Sequence, residues 1–168
     1  TRGLDPGVDV PGKTLSLAAS ALVSALMEDG AVLILCPATL TFQWQVELAD
    51  KLGIPSSVWS SEKKEWLDDR GHRIRTRGPE DIANCPTQIA IVSTGLIFHE
   101  SAEREQLLKR KYGTVILDEA HRARRRGGLG NRGQEPNNLL DFMLKIGGRT
   151  RHLLLGTATP IQTEVYEL

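Results

Sequence analysis

Four short apolar runs along the chain constrain its fold more than any other feature. They lie within the segments AVLILCP (31–37), TQIAIVST (87–94), YGTVILDEA (112–120) and RHLLLGTAT (151–159). Continuous apolar runs of this length are typical of strands buried on both faces, as the strands of parallel sheets are. Segments with helical periodicity separate the runs. This alternation predicts an α/β fold in three layers, a parallel sheet with helices on both faces.

Helical periodicity is visible in four segments. The first extends from Thr14 to Gly30, and its apolar face carries Leu15, Ala18, Leu22, Ala25 and Leu26. The other three are TLTFQWQVELADKLG (39–53), FHESAEREQLLKRK (98–111) and PNNLLDFMLKIGG (136–148). Gly30 and Gly53 are the predicted helix ends. Residues 54–60 (IPSSVWS) are a candidate short strand, and the charged segment 61–86 predicts a hairpin or excursion with a short helix near residues 80–84.

Composition bounds the class of protein. A chain of 168 residues with 40% apolar residues has the size of one domain. Its 21 basic and 21 acidic residues cancel, so any contact with a polyanion must be local. No apolar run approaches the length of a membrane span, and Cys36 and Cys85 lack metal-ligand spacing. We expect a cytoplasmic protein with reduced thiols and no membrane partner, of which residues 1–168 form one domain within a larger chain.

The segment Gly7-Val-Asp-Val-Pro-Gly-Lys-Thr14 matches the phosphate-loop pattern GxxxxGK[ST]. In that pattern Gly12 lets backbone amides approach phosphates, Lys13 neutralises the outer phosphates, and Thr14 offers a hydroxyl ligand to Mg²⁺. A helix beginning at Thr14 adds its positive end. A pattern this loose also occurs in surface turns, so the match alone leaves both interpretations open.

Asp118 and Glu119 follow directly on the third apolar run, in DEAH (118–121). With a phosphate loop upstream, Asp118 becomes a candidate partner of Mg²⁺, Glu119 a candidate for polarising the attacking water, and His121 a link to nucleotide state. In isolation, Asp118 would more simply cap a helix and Glu119 would be solvated. The joint occurrence of the lysine loop, DEAH and Thr-Ala-Thr at another strand end favours a nucleotide site whose carboxylates meet a metal ion.

The segments PGKT, CPATLTFQW, DEAH and LLLGTATPIQ, in this order, resemble the first motor lobe of superfamily 2 helicases. More narrowly they resemble the Swi/Snf-like DNA translocases and their bacterial members, because PATLTFQWQVEL is similar to that group's PxxLxxQWxxE element. The resemblance covers nearly the whole chain. It implies a RecA-like (P-loop NTPase) fold, ATP and Mg²⁺, and tracking along the backbone of double-stranded DNA without strand separation. It also implies a second RecA-like lobe that supplies arginine fingers, without which this lobe alone is inactive.

The resemblance implies roles for individual residues. Lys13 would contact the phosphates, Thr14 and Asp118 would hold Mg²⁺, and Glu119 would activate water. Hydroxyl and amide groups after the last strand would couple hydrolysis to DNA, namely Thr157, Thr159 and Gln162. Contacts with DNA phosphates would come from Thr39, Ser93 and Thr94; such contacts position a protein and read no sequence.

Five arginines lie in the glycine-rich segment HRARRRGGLGNRGQEP (121–136), namely Arg122, Arg124, Arg125, Arg126 and Arg132. This charge predicts a salt-sensitive, sequence-independent DNA contact, and a solvated loop without a partner is the alternative. Trp44 and Cys36 are interpreted as core residues.

The phosphate loop departs from the family's pattern at three positions. Val10 stands where the family has glycine, Pro11 has no N–H to offer, and Asp9 brings a negative charge beside the expected phosphates.

Three alternatives stay open. They are an inactive, interaction-only lobe, a strand-separating DNA or RNA helicase of the same superfamily, and a small P-loop NTPase such as a kinase.

Overall fold

The computed structural model describes Leu22, Val23, Met27, residues 30–124 and residues 137–156. Its strands are Val32–Cys36 (β1), Ser56–Ser60 (β2), Glu65–Asp68 (β3), Arg73–Arg75 (β4), Ile89–Ser93 (β5), Thr114–Leu117 (β6) and His152–Leu155 (β7). Its α-helices are Thr41–Leu52 (α1), Thr94–Phe98 (α2), Ala102–Lys109 (α3) and Asn138–Gly147 (α4). Short 3₁₀ helices cover Ala38–Leu40, Pro79–Ala83 and Ala120–Arg122.

Within the described residues, seven strands form one sheet in the order β4-β3-β2-β5-β1-β6-β7. Neighbours from β2 to β7 in that order pair in parallel. The outer strands β3 and β4 pair antiparallel, so the sheet as a whole is mixed. The predicted parallel sheet is thus confirmed for the five strands of its centre and one edge. The antiparallel hairpin of β3 and β4 falls in segment 61–86, where a hairpin or excursion was predicted.

Helices cover both faces of the sheet. Every residue of β1 is buried, and alternate residues enter two separate apolar clusters. One cluster contains Trp44 and Leu48 of α1. The other contains Ile97 of α2, Leu107 of α3 and Phe142 of α4. The predicted three-layer arrangement is confirmed.

Two tryptophans anchor the charged hairpin that closes one edge of the sheet. The ring centroids of Trp59 and Trp66 lie 5.1 Å apart with an interplanar angle of 65°. The indole N–H of Trp59 donates to Glu103 Oε2 at 2.8 Å, and that of Trp66 donates to the backbone oxygen of Asp81 at 3.1 Å. Lys64 also pairs with Glu103. These contacts let a segment with few apolar residues form strands.

Helix boundaries differ in part from the predicted ones. Gly53 ends α1 in the left-handed conformation with φ 64°, as predicted. The helix predicted over 98–111 instead begins at Ala102, because the hydroxyl of Ser101 accepts the backbone N–H of Arg104 and caps that end. Of the helix predicted between Thr14 and Gly30, only three residues are described; they are helical, and Leu22 is buried as expected. No helix in the described part of the chain is long and apolar enough to cross a membrane.

We predict that Phe142→Ala lowers the free energy of unfolding by about 3–5 kcal/mol, because the ring is fully buried between α4 and the sheet. Urea denaturation followed by circular dichroism measures this change. Leu144→Ala on the same helix is the matched control, since Leu144 is 60% exposed, and its effect stays within about 0.5 kcal/mol. Equal losses in the two variants would contradict the assigned core.

Candidate functional site

The carboxyl ends of four parallel strands lie side by side at one edge of the sheet. In sheet order they are Ser93 of β5, Cys36 of β1, Asp118 directly after β6 and Gly156 directly after β7. Ligands of parallel α/β sheets bind outside this edge. The fold therefore brings together residues from all four apolar runs, at the edge where the sequence predicts the site.

Asp118 forms hydrogen bonds through its backbone N–H and through both carboxylate oxygens. Its backbone N–H donates to the oxygen of Leu35 at 2.8 Å, which extends the pairing of β6 with β1. Its Oδ1 accepts the backbone N–H of Glu119 at 2.9 Å. Its Oδ2 accepts the indole N–H of Trp44 at 3.2 Å. The carboxylate, which is half-buried, is thus oriented at both oxygens.

Glu119 occupies a turn with left-handed backbone, at φ 53° and ψ 49°. The next N–H, that of Ala120, donates to the oxygen of Gly156 at 2.8 Å, and the N–H of Gly156 donates to the oxygen of Leu117 at 2.8 Å. Non-glycine residues are uncommon in this conformation, which costs about 1 kcal/mol or more and persists only where neighbours enforce it. The end of β7 therefore holds the acidic turn in a strained geometry.

Trp44 serves both as a core residue and as a donor to the site. Its side chain is 4% exposed and belongs to the cluster on the α1 face of the sheet, which confirms its interpretation as a core residue. Its hydrogen bond to Asp118 was not predicted. Cys36 is fully buried in the same cluster, also as predicted.

Burial raises the pKa of the Cys36 thiol, and the charges of Asp118 and Glu119 raise it further. The thiol therefore stays protonated at neutral pH. A protonated thiol is neither a metal ligand nor a nucleophile. Among the acidic and sulfur groups that the structure describes at this edge, the carboxylates are therefore the ones suited to bind a cation.

The donor set fits Mg²⁺ shared with a nucleotide. The carboxylate of Asp118 offers the oxygen ligands that Mg²⁺ prefers. Within the described ranges, no group of three or more His, Cys, Asp or Glu side chains could hold a metal ion. Mg²⁺ at nucleotide sites needs only one or two carboxylates, because phosphates and water complete its shell. The described residues therefore do not fit a metal held by protein groups alone.

The base of the arginine-rich segment is fastened by Asn137. Its backbone N–H donates to the oxygen of Arg124 at 2.8 Å, and its side-chain amide donates to the oxygen of Arg122 at 2.7 Å. The guanidinium of Arg122 stacks over the ring of Phe98 at 5.0 Å from its centroid. Three exposed basic residues follow the carboxyl end of β6, directly after the acidic turn, namely His121, Arg122 and Arg124.

The three residues predicted to contact DNA phosphates have different environments. Thr39 is exposed on the 3₁₀ helix that follows β1. The hydroxyl of Ser93 accepts the backbone N–H of Gly95 at 3.2 Å and caps α2. Thr94 is 2% exposed and its hydroxyl is buried. Of the three, Thr39 has the exposure that such a contact requires, whereas Thr94 would need a rearrangement of α2.

Several predicted site residues lie outside the described residues. They are Gly12, Lys13, Thr14, Arg125, Thr157, Thr159 and Gln162. Their predicted roles rest on the sequence. The last described residue before the TAT segment, Gly156, lies beside Asp118: a Cβ built on it would come within 3.6 Å of Asp118 Oδ1. Gly156 itself therefore lies at the acidic turn.

Sequence reasoning missed two residues that shape the site. Asn137 was recognisable, because asparagine before an amphipathic segment is a preferred helix cap, and it does cap α4 by accepting the N–H of Leu140 at 2.8 Å. Its additional bonds to the arginine-rich segment depend on tertiary structure. The donor role of Trp44 had no signal in the sequence.

Comparison with known proteins identifies relatives for nearly the whole chain. A family model for DEAD/DEAH box helicases matches residues 11–168. The "Uncharacterized ATP-dependent helicase YqhH" of Bacillus subtilis (strain 168) is 29% identical over 137 residues, which cover 82% of this chain and 19% of that protein. The chain thus spans about a fifth of the length of this curated relative. The mixed sheet with helices on both faces is consistent with the RecA-like fold of such domains.

We predict that Glu119→Gly is better tolerated than the same change in a helix. At Glu119 glycine relieves the left-handed strain, whereas at the exposed Glu105 of α3 it disrupts helical backbone. Because the unfolded chain changes identically in both variants, their difference in unfolding free energy reports the strain, at about 1–2 kcal/mol in favour of Glu119→Gly. Equal losses in urea denaturation would show that Glu119 is unstrained.

Proposed function

This chain belongs to the DEAD/DEAH box helicase family, and on that premise we propose that it is the ATP-binding lobe of an ATP-dependent DNA translocase of the Swi/Snf-like group. The proposal includes ATP and Mg²⁺ as cofactors, double-stranded DNA as the partner, and a second RecA-like lobe in the same protein. We further propose that hydrolysis requires both lobes.

The observation that carries the proposal is the acidic turn at the carboxyl end of β6. Asp118 is oriented at both carboxylate oxygens, and Glu119 follows in a strained turn tied to the end of β7. A surface-exposed Asp-Glu pair with no function requires neither feature. Strained backbone that its surroundings enforce is characteristic of functional sites. The pair is therefore best explained as a preorganised site.

Each protein group has a distinct task in this proposal. Asp118 presents a fixed carboxylate oxygen to the cation, directly or through water. Glu119, one residue further and differently directed, orients the attacking water and accepts its proton. Lys13 and Thr14 contact the phosphates and the cation from the phosphate loop. ATP with Mg²⁺, when bound, supplies the phosphoanhydride bond whose hydrolysis drives the motor.

Contact with DNA is proposed for the exposed groups beside the acidic turn. Arg122 and Arg124 supply positive charge, and Thr39 offers a hydroxyl after the neighbouring strand. Such groups contact the DNA backbone without reading sequence. Their position next to Glu119 in the chain gives a short route by which nucleotide state reaches the DNA contact. His121, exposed in the same 3₁₀ helix, is proposed to take part in this link.

An inactive, interaction-only lobe is the second candidate, and a specific sequence feature favours it. Asp9, Val10 and Pro11 weaken the phosphate loop through charge, conformation and a missing N–H. Calorimetric titration of the full-length protein with ATP and Mg²⁺ distinguishes the two candidates. Heat of binding supports the motor, and its absence supports the inactive lobe.

We predict that Lys13→Ala and Glu119→Gln in the full-length protein each reduce DNA-stimulated ATPase activity by at least about a hundredfold, since one removes phosphate contact and the other the proton acceptor. DNA binding, measured by fluorescence anisotropy, is largely retained. Glu105→Gln is the control, because Glu105 lies exposed on α3 away from this edge, and it keeps wild-type activity. Turnover in both site variants would refute these roles.

We also predict that duplex DNA stimulates the ATPase of the full-length protein more than single-stranded DNA or RNA does. A translocase that grips the duplex backbone has no need of separated strands. A strand-displacement assay with a labelled duplex complements the ATPase measurement, and we expect no displaced strand. Stimulation by RNA alone, or efficient displacement, would instead assign the protein to the strand-separating helicases.

A further inference from the structure

Trp44 connects the apolar core with the carboxylate at the functional edge of the sheet. We propose that it is a positioning residue, whose indole N–H orients Asp118 toward Mg²⁺. This inference rests on the proposed function, because it takes Asp118 to be the cation's protein partner. Trp44 itself contacts neither nucleotide nor cation in this role.

The geometry at Asp118 supports an orienting role. The Trp44 N–H lies 3.2 Å from Oδ2, and the backbone N–H of Glu119 lies 2.9 Å from Oδ1. Both distances are within the range of N–H···O hydrogen bonds. The two donors come from different elements, α1 and the turn after β6, and they engage different oxygens. Together they define the plane of the carboxylate, which a single donor would leave free to rotate.

The donor is itself anchored. The next residue, Gln45, is 6% exposed, and its side-chain amide donates to the oxygens of Ser56 at 3.1 Å and Leu67 at 3.0 Å. These bonds fasten the first half of α1 to β2 and β3. Trp44, packed in the core beside Gln45, therefore presents its N–H from a fixed point, and Asp118 adapts to it.

Orientation matters because Mg²⁺ requires nearly ideal octahedral geometry. Groups that hydrogen-bond a metal ligand from behind typically contribute about 10- to 100-fold to affinity or activity. Phenylalanine at position 44 would retain most of the apolar packing but would remove the only hydrogen-bond donor of the side chain. The substitution Trp44→Phe therefore isolates the effect of the hydrogen bond from that of core packing.

Trp59 provides a matched control elsewhere in the fold. It is also 4% exposed, and its indole N–H also donates to a carboxylate oxygen, that of Glu103, at 2.8 Å. It belongs to the cluster on the opposite face of the sheet. Trp59→Phe thus removes the same kind of bond from the same kind of site, at a distance from the acidic turn.

The test measures how much Mg²⁺ strengthens nucleotide binding in the full-length protein. The dissociation constant of a fluorescent ATP analogue is determined with Mg²⁺ and with EDTA. The constant in EDTA divided by the constant in Mg²⁺ is then compared among variants. We expect Trp44→Phe to lower this ratio about three- to tenfold while leaving affinity in EDTA unchanged. Trp59→Phe keeps the wild-type ratio. In parallel, the Mg²⁺ concentration for half-maximal ATPase activity rises by a similar factor in Trp44→Phe alone.

Two outcomes would contradict the inference. An unchanged ratio in Trp44→Phe overturns the positioning role and leaves the proposed function intact. A wild-type protein that binds no ATP, or binds it without regard to Mg²⁺, overturns both. If Trp44→Phe does not fold, as judged by circular dichroism, Trp44→Met replaces it, because methionine also lacks a donor and adapts to irregular space. The same two expectations then apply to that variant.

Discussion

The parallel pairing of β1 with β6 determines where the acidic pair of this domain lies. The register joins Leu35 to Leu117, and the N–H of Asp118 continues the ladder onto the oxygen of Leu35. A one-residue shift of β1 would move each of its side chains into the opposite apolar cluster, where the close packing is made for another side chain. Apolar packing of the strands therefore fixes the carboxylates at the sheet edge, and it stabilises the fold more than the carboxylates' own hydrogen bonds do.

The central strands could be predicted because their own residues are almost all apolar. Val32–Cys36 and residues 89–92 are apolar throughout, and a doubly covered parallel sheet buries both of their faces. A hairpin or excursion was predictable in segment 61–86, but the bounds of β3 and β4 were not. These strands are short and charged, and the bonds that anchor them join Trp59 to Glu103 and Trp66 to Asp81, 44 and 15 positions apart.

The candidate site was predictable in position and incompletely in composition. Loop-forming segments with polar residues, such as CPATL, LDEAH and LGTATP, identify the edge, because all parallel strands end there. The hydrogen bond from Trp44 could not be predicted, since it joins residues 74 positions apart and depends on the rotation of α1 about its axis. The sequence predicted Trp44 only as a core residue. Because its indole carries one polar N–H, the same side chain can pack in the core and donate to Asp118. The exposed or buried state of Thr39 and Thr94 likewise follows from tertiary packing that a strand-end motif leaves open.

The bonds between Arg124 and Asn137 have a consequence for how this protein can vary and be engineered. They join the backbone of Arg124 to Asn137, so the two ends of the intervening segment lie side by side. Lengthening a segment whose ends already meet costs little, because loop entropy grows slowly with length. Related proteins can therefore differ widely in length here, and a fluorescent domain inserted at this point would leave β6 and α4 in place.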